Sequence, residues 1–216
     1  MEHNLNLKGI PDYYRIRQMT GKDDAFPYQG IWIFSGSQGA GKTLNMMQCV
    51  IEMHEKYPKA LIVSNISIFG IPCFPYKGIE DFDTYKNGDD GVIFVVDEIH
   101  TIWNSIESKK MPPATLKIWS QNRKNRRVIL GTSQRYTRVA KGLREQAFLH
   151  IETKKPILCF YRYCVVDATL YDDDGKYIGE RPPRWSFYVP HYRAMLSYNT
   201  MEVVNSIGSN GMEVTT

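Results

Sequence analysis

The chain has 216 residues, 43% hydrophobic and 23% charged, with a formal net charge of +4. That describes a soluble globular protein of one domain, or one domain with a small appendage, whose mild basicity permits nucleic acid without demanding it. No run reaches the ~18 apolar residues that span a bilayer, and the N-terminus has no apolar signal-peptide core.

Residues 1–29 form an N-terminal extension in which Pro11, Gly21 and Pro27 break any long helix. The apolar run Ile31 to Ser35 then predicts a strand entering Gly36-Ser37-Gln38-Gly39-Ala40-Gly41-Lys42-Thr43. These eight residues match G-x-x-x-x-G-K-[ST]. Glycines let the backbone wrap an anion with its N–H groups pointing inward, and a following helix adds its partial positive charge. The run from Thr43 to about Tyr57 supplies that helix. Lys42 is placed to reach the β- and γ-phosphates, the Thr43 hydroxyl to hold magnesium, and Leu44 to border the bound phosphates. Leu44, Met47 and Ile51 make one apolar line with Met46, Val50 and Met53 beside it, so the helix is buried broadly and its methionines are core filler. Pro58 stops it, and Ala60 to Asn65 is the next strand of a βαβ unit. Ile66 to Asp90 reads as an irregular excursion.

Val92-Ile93-Phe94-Val95-Val96-Asp97-Glu98 is a buried parallel strand whose carboxyl end carries two acids. Downstream of a phosphate loop, Asp97 orients magnesium and Glu98 takes a proton from an attacking water. No Asn-Lys-x-Asp motif of a switch GTPase is present. A small-molecule kinase does not usually need the second acid, so the pair favours an ATPase. His100 reads as a packing or supporting residue, because the water-activating acid is already supplied.

A helix is expected around Pro113–Asn122, followed by basic residues from Arg123 to Arg127. Arg127 to Gln134 is a further strand, expected beside the acidic one, with Thr132, Ser133 or Gln134 in reach of the γ-phosphate or the lytic water. Lys109, Lys110, Arg135, Arg138, Lys141 and Arg144 extend the basic run. It reads either as a solvated face or as a DNA-phosphate patch in which Arg123, Lys124, Arg126 and Arg127 make the contacts. The third reading is arginine fingers reaching a neighbour's nucleotide, with Arg135, Arg144 and then Arg126 as candidates.

Ile157 to Leu170, the turn signal Asp172 to Lys176, and Trp185 to Val189 predict an antiparallel hairpin on the edge of the sheet. Cys49, Cys73, Cys159 and Cys164 form no C-x-x-C pair and read as reduced core thiols, which points to a cytosolic setting.

The phosphate loop, the strand ending in Asp97-Glu98 and the strand ending in Thr132-Ser133-Gln134-Arg135 resemble the FtsK–HerA superfamily of DNA-pumping ATPases. That resemblance makes Gln134 a sensor glutamine, and the run from Arg135 to Ala147 is similar to the arginine-led helix that follows it there. Within the superfamily the chain is similar to the Zot-like group, the ATPase domain of filamentous-phage assembly proteins. The shared points are Ser64-Asn65, the run Asp97 to Trp103, and Tyr198-Asn199-Thr200. The phage proteins carry a membrane span after this domain. This sequence shows none, which implies either a soluble viral packaging ATPase or an isolated domain.

The sequence therefore predicts an α/β P-loop NTPase, RecA- or FtsK–HerA-like, a three-layer sandwich with a mainly parallel sheet and helices on both faces. The expected divisions are the extension at 1–29, the ATPase core at 30–152, a C-terminal β-hairpin extension at 153–204 and a flexible tail at 205–216. The expected function is magnesium-dependent ATP hydrolysis coupled to DNA translocation, packaging or extrusion during phage or mobile-element assembly. The expected partners are DNA, further copies in a ring-like homo-oligomer, and viral capsid or membrane assembly proteins, in the host cytoplasm or the virion. A nucleoside or other small-molecule kinase and a non-hydrolysing ATP-binding scaffold are the rival readings.

Overall fold

The computed structural model describes residues 25–102, 125–157, 160–172 and 174–198. The expected helix at 113–122, most of the N-terminal extension and the tail lie outside them. In chain order, β1 (Gly30–Ser35) leads through the phosphate loop into α1 (Lys42–Lys56). Next come β2 (Leu61–Ser64), β3 (Phe74–Pro75), α2 (Asp81–Thr84), β4 (Val92–Val96) and α3 (Ile99–Ile102). The second half holds β5 (Arg127–Ser133), α4 (Lys141–Arg144), β6 (Ala147–Ile157), β7 (Phe160–Asp167), β8 (Trp185–Tyr188) and α5 (Tyr192–Leu196).

The strands make one sheet in the order β3-β2-β4-β5-β1-β6-β7-β8. All pairings from β3 to β6 are parallel, and β7 and β8 add on antiparallel. β4 and β5 are buried along their whole lengths, as strands covered on both faces must be. Their side chains alternate between two cores. Trp32, Phe34, Ile93, Val95, Val128 and Leu130 meet Met46, Met47, Val50 and Met53 of α1 on one face. Ile31, Ile33, Val92, Phe94, Val96 and Ile129 face the other, against Phe82, Ile99, Tyr136 and Leu143. Each such side chain contributes about 1.5–3 kcal/mol through burial, so these central strands form a rigid base for the loops at their carboxyl ends.

α1 forms because its residues are mostly unbranched helix formers with no glycine or proline among them. It begins at Gly41, whose φ of 85° is left-handed. Helix and phosphate loop thus join through a conformation glycine adopts without penalty.

Two expectations are revised. The stretch after Ile66 is not wholly irregular: Phe74 and Pro75 pair with Val63 and Ser64 as a parallel edge strand, where proline's missing donor is tolerated. The helix expected after the sensor strand is reduced to a 3₁₀ turn at Tyr136–Arg138 and the four-residue α4, which contains Gly142 and lacks a side-chain cap. The expected antiparallel hairpin forms between β7 and β8 at the edge of the sheet, and β7 in turn pairs antiparallel with β6. The tight turn at Asp172–Lys176 does form, held by Gly175 N to Asp172 O at 2.9 Å, but it closes only an isolated Tyr171–Tyr177 bridge. β8 lies antiparallel to β7, with Tyr161 opposite Tyr188 and Cys164 opposite Trp185.

β6 runs unbroken through the boundary expected at 152/153. Cys49 and Cys164 are buried free thiols, and burial first of all pushes the Cys164 thiol up to about 12. No helix among the described residues is long and apolar enough to cross a membrane.

Candidate functional site

The parallel strands β1, β4 and β5 deliver Gly36, Asp97 and Gln134 to the same end of the sheet. There an open cleft of about 390 Å³ is lined by Gln38, Gly39, Gly41, Lys42, Thr43, Leu44, Asp97 and Glu98, together with Ile66, Tyr161 and Tyr198. Most of the predicted loop residues are thus brought together with both acids. Of the rest, Ser37 is exposed, Ala40 is buried, and Gly36 sits at the root of the loop. A Cβ on Gly36 would collide with the backbone oxygen and side chain of Thr153, so this close approach requires glycine. Lys42 is 8% exposed, with Nζ donating to Ser37 O at 3.4 Å.

The two side chains expected to hold magnesium are in contact. Thr43 Oγ1 donates to Asp97 Oδ1 at 2.9 Å, and Thr132 Oγ1 donates to the same oxygen at 2.7 Å. Thr43 and Asp97 together offer adjacent hard oxygens at the foot of a phosphate-shaped loop. That donor set fits magnesium, which binds through one or two protein groups and fills its other positions with phosphates and water.

Glu98 has a left-handed backbone, φ 52°, rare for a residue other than glycine. The conformation is held on both sides. Its N–H donates to Thr132 Oγ1 at 2.8 Å, and its carbonyl accepts from Thr101 N at 2.8 Å and Thr101 Oγ1 at 2.9 Å. The twist separates two consecutive acids: Asp97 turns to Thr43, while Glu98 Oε2 lies 3.2 Å from His100 Nδ1. Burial, then Asp97, pushes the Glu98 carboxyl up, and Lys42 and Arg138 pull it the other way. Burial, Arg138 and Lys42 push the His100 ring down, and Asp97 acts against them. Ser133 Oγ is 3.2 Å from the same His100 nitrogen.

Asn65 clamps the backbone of Asp97 from the end of β2 with a pair of hydrogen bonds. Sequence reasoning marked this asparagine only as a family feature; its position one residue past a parallel strand neighbouring β4 was the available signal. Arg138 stood only within the basic run, yet it is the arginine whose charge acts on Glu98 and His100. Its Nη1 donates to Gln134 Oε1 at 2.8 Å, which ties the expected sensor glutamine to the acid pair through one cation. Tyr161 and Tyr198 were also missed as cleft residues. Burial, then Tyr161 and Asp97, pushes the Tyr198 hydroxyl up to about 12.

None of the three candidate fingers lines the cleft of its own chain. Arg135 is exposed on the turn after β5. Arg144 lies over the Tyr136 ring at 5.7 Å, donates to Val139 O at 3.1 Å, and borders a separate hollow of about 220 Å³. Arg126 precedes β5, at the end of the sheet opposite the cleft, and pairs with Asp89 at 3.0 Å. Arg127 is 1% exposed and donates to Phe82 O, so it is removed from the proposed DNA contacts. Arg123 and Lys124 lie outside the described residues.

Residues 76–175 match the family model described as zonular occludens toxin (Zot). No curated protein matches the sequence. Among solved structures, the N-terminal domain of zonular occludens toxin from Neisseria meningitidis superposes with a TM-score of 0.58 at 16% identity, over 79% of this chain and 98% of that one. A further solved ATPase domain superposes with a TM-score of 0.52 at 10% identity, over 89% of this chain and 97% of its own. The genome packaging NTPase B204 from Sulfolobus turreted icosahedral virus 2, in complex with ATP-gammaS, gives 0.48 at 13% identity, over 74% and 97%. The chain is thus similar to zonular occludens toxin over residues 76–175, and it shares its fold with the N-terminal domain of that toxin and with a further ATPase domain.

Proposed function

We propose that this chain hydrolyses ATP with magnesium and couples the cycle to moving DNA, acting as a ring-like homo-oligomer during phage, virus or mobile-element assembly. The observation that carries the hydrolase reading is the divergence of two consecutive acids at the end of β4. Asp97 joins Thr43 beneath the phosphate loop, and Glu98 is twisted away into the same cleft. Bound magnesium would neutralise phosphate charge at Thr43 and Asp97. Lys42 holds the β/γ-phosphate side, and Glu98 orients water and accepts its proton. Arg138, which donates to Gln134, sets the charge beside that base.

DNA coupling rests on the resemblance to DNA-pumping ATPases, as does the ring. A finger supplied in trans completes such a site only between subunits, and exposed Arg135 is the candidate best placed to reach outward. The test is ATP turnover with and without single- and double-stranded DNA, alongside mass by light scattering. Turnover that ignores both DNAs, or phosphate transfer to a small-molecule acceptor, counts against the translocase reading. Retention of ATP without turnover leaves a scaffold. A trans finger shows itself when an Arg135→Ala protein regains turnover on mixing with Lys42→Ala subunits.

A further inference from the structure

We propose that Tyr161 and Tyr198 form the base-and-ribose side of the nucleotide cleft, so that the antiparallel extension completes the site instead of decorating the core. This rests on the phosphate-loop reading above. The cleft that begins at Lys42 and Thr43 continues past Gly41 and Leu44 to these two rings. Tyr161, from β7, lies directly on the loop: a Cβ on Gly41 would come within 2.6 Å of its ring carbon Cδ1. Tyr198 follows α5, and both tyrosines pack against the small apolar cluster of Leu44, Ile51 and Ala194, which begins one residue after the Lys42-Thr43 pair. Ile66 adds an apolar wall. Both rings are partly buried, with part of each surface left to the cleft.

The remainder of a nucleotide has the matching chemistry. With its phosphates fixed by the loop and the start of α1, its flat base, with π faces and polar edges, must lie in the continuation of the same cleft. Aromatic faces there stack on any base. Tyrosine suits a half-wet position, because its ring is apolar and its hydroxyl reaches water.

Two ligands separate the parts of the site: magnesium ATP, and magnesium tripolyphosphate, which has the phosphates but no base. Calorimetric titration of the parent protein should show ATP binding more tightly than tripolyphosphate. Tyr161→Leu should weaken ATP by roughly 5- to 150-fold, the range of one lost stacking contact, and leave tripolyphosphate unchanged. Tyr161→Phe should restore ATP binding, and Tyr198→Leu should act in the same selective direction. Equal losses for both ligands would mean that the rings only shape the loop, which overturns the proposal. So would equal affinities for the two ligands in the parent protein, a result that needs no variant to fold. A parent protein that binds neither ligand instead rejects the phosphate-loop reading itself.

Discussion

Asn65 holds Asp97 at both ends of its peptide: its Oδ1 accepts from Asp97 N at 2.8 Å, and its Nδ2 donates to Asp97 O at 3.0 Å. The carboxylate can point at Thr43 only if the backbone beneath it is fixed, and the β2–β4 pairing brings Asn65 beside that backbone. Asn65→Ala leaves both backbone groups to find new partners, at a cost of about 1–3 kcal/mol in folding stability. Beyond stability, the magnesium concentration for half-maximal ATP turnover should rise. An unchanged magnesium requirement would make the clamp a packing feature only.

The two acids should separate by phenotype. Glu98→Gln keeps the shape and removes the base, so ATP and magnesium still bind while turnover falls by roughly 10²- to 10⁴-fold. Asp97→Asn should weaken magnesium dependence first, and Lys42→Ala should weaken nucleotide binding and abolish turnover. Parent-like hydrolysis by Lys42→Ala would remove the hydrolase assignment.

Arg138 offers a test by pH. Its charge lowers the Glu98 carboxyl, against burial and Asp97, which raise it. Removing the cation in Arg138→Gln lets the Glu98 pKa rise further. The base must be deprotonated to work, so the acid limb of the kcat–pH profile should move to higher pH while the alkaline side stays in place. An acid limb that stays put would show that Arg138 does not tune the base.

His150 makes acid the weak flank of the fold. It is buried on β6, stacks on Tyr136 at 4.1 Å, and lies 2.6 Å from Ser35 Oγ. Burial lowers its pKa from 6.5 to about 3. Above pH 6.5 the ring is neutral in folded and unfolded chains alike. Below it, the unfolded chain takes up a proton that the native one refuses, so stability falls by about 1.4 kcal/mol per pH unit until the folded pKa is reached. Urea unfolding at pH 7 and pH 5 should show His150→Gln losing less stability on acidification than the parent, even if it starts lower. Parallel losses would exclude His150 as the source.

The phosphate loop, the Asp97-Glu98 pair and the mainly parallel sheet were legible because each is written locally. Glycine spacing, an all-apolar strand and an acid at its end need no knowledge of distant partners. Arg138 and Tyr161 were not, since their roles depend on where a 3₁₀ turn and an antiparallel strand fall in space. Arg127 misled for the same reason. As a letter in a basic run it reads as surface, but it opens a strand buried at every position, and its carbonyl partner Phe82 lies in a segment read as irregular.

β6 is shared property. Its first half pairs with β1 and its length with β7, and Thr153, just beyond the boundary read from sequence, donates its hydroxyl to Ser35 O at 2.9 Å at the root of the phosphate loop. A fragment trimmed at residue 152 would therefore lose the strut under its own nucleotide loop together with the outer strands. In hydrogen exchange, the amides of β1 and β6 should open together as one cooperative unit. The point at which the outer strands can be cut away while the phosphate loop keeps its support therefore lies beyond Thr153.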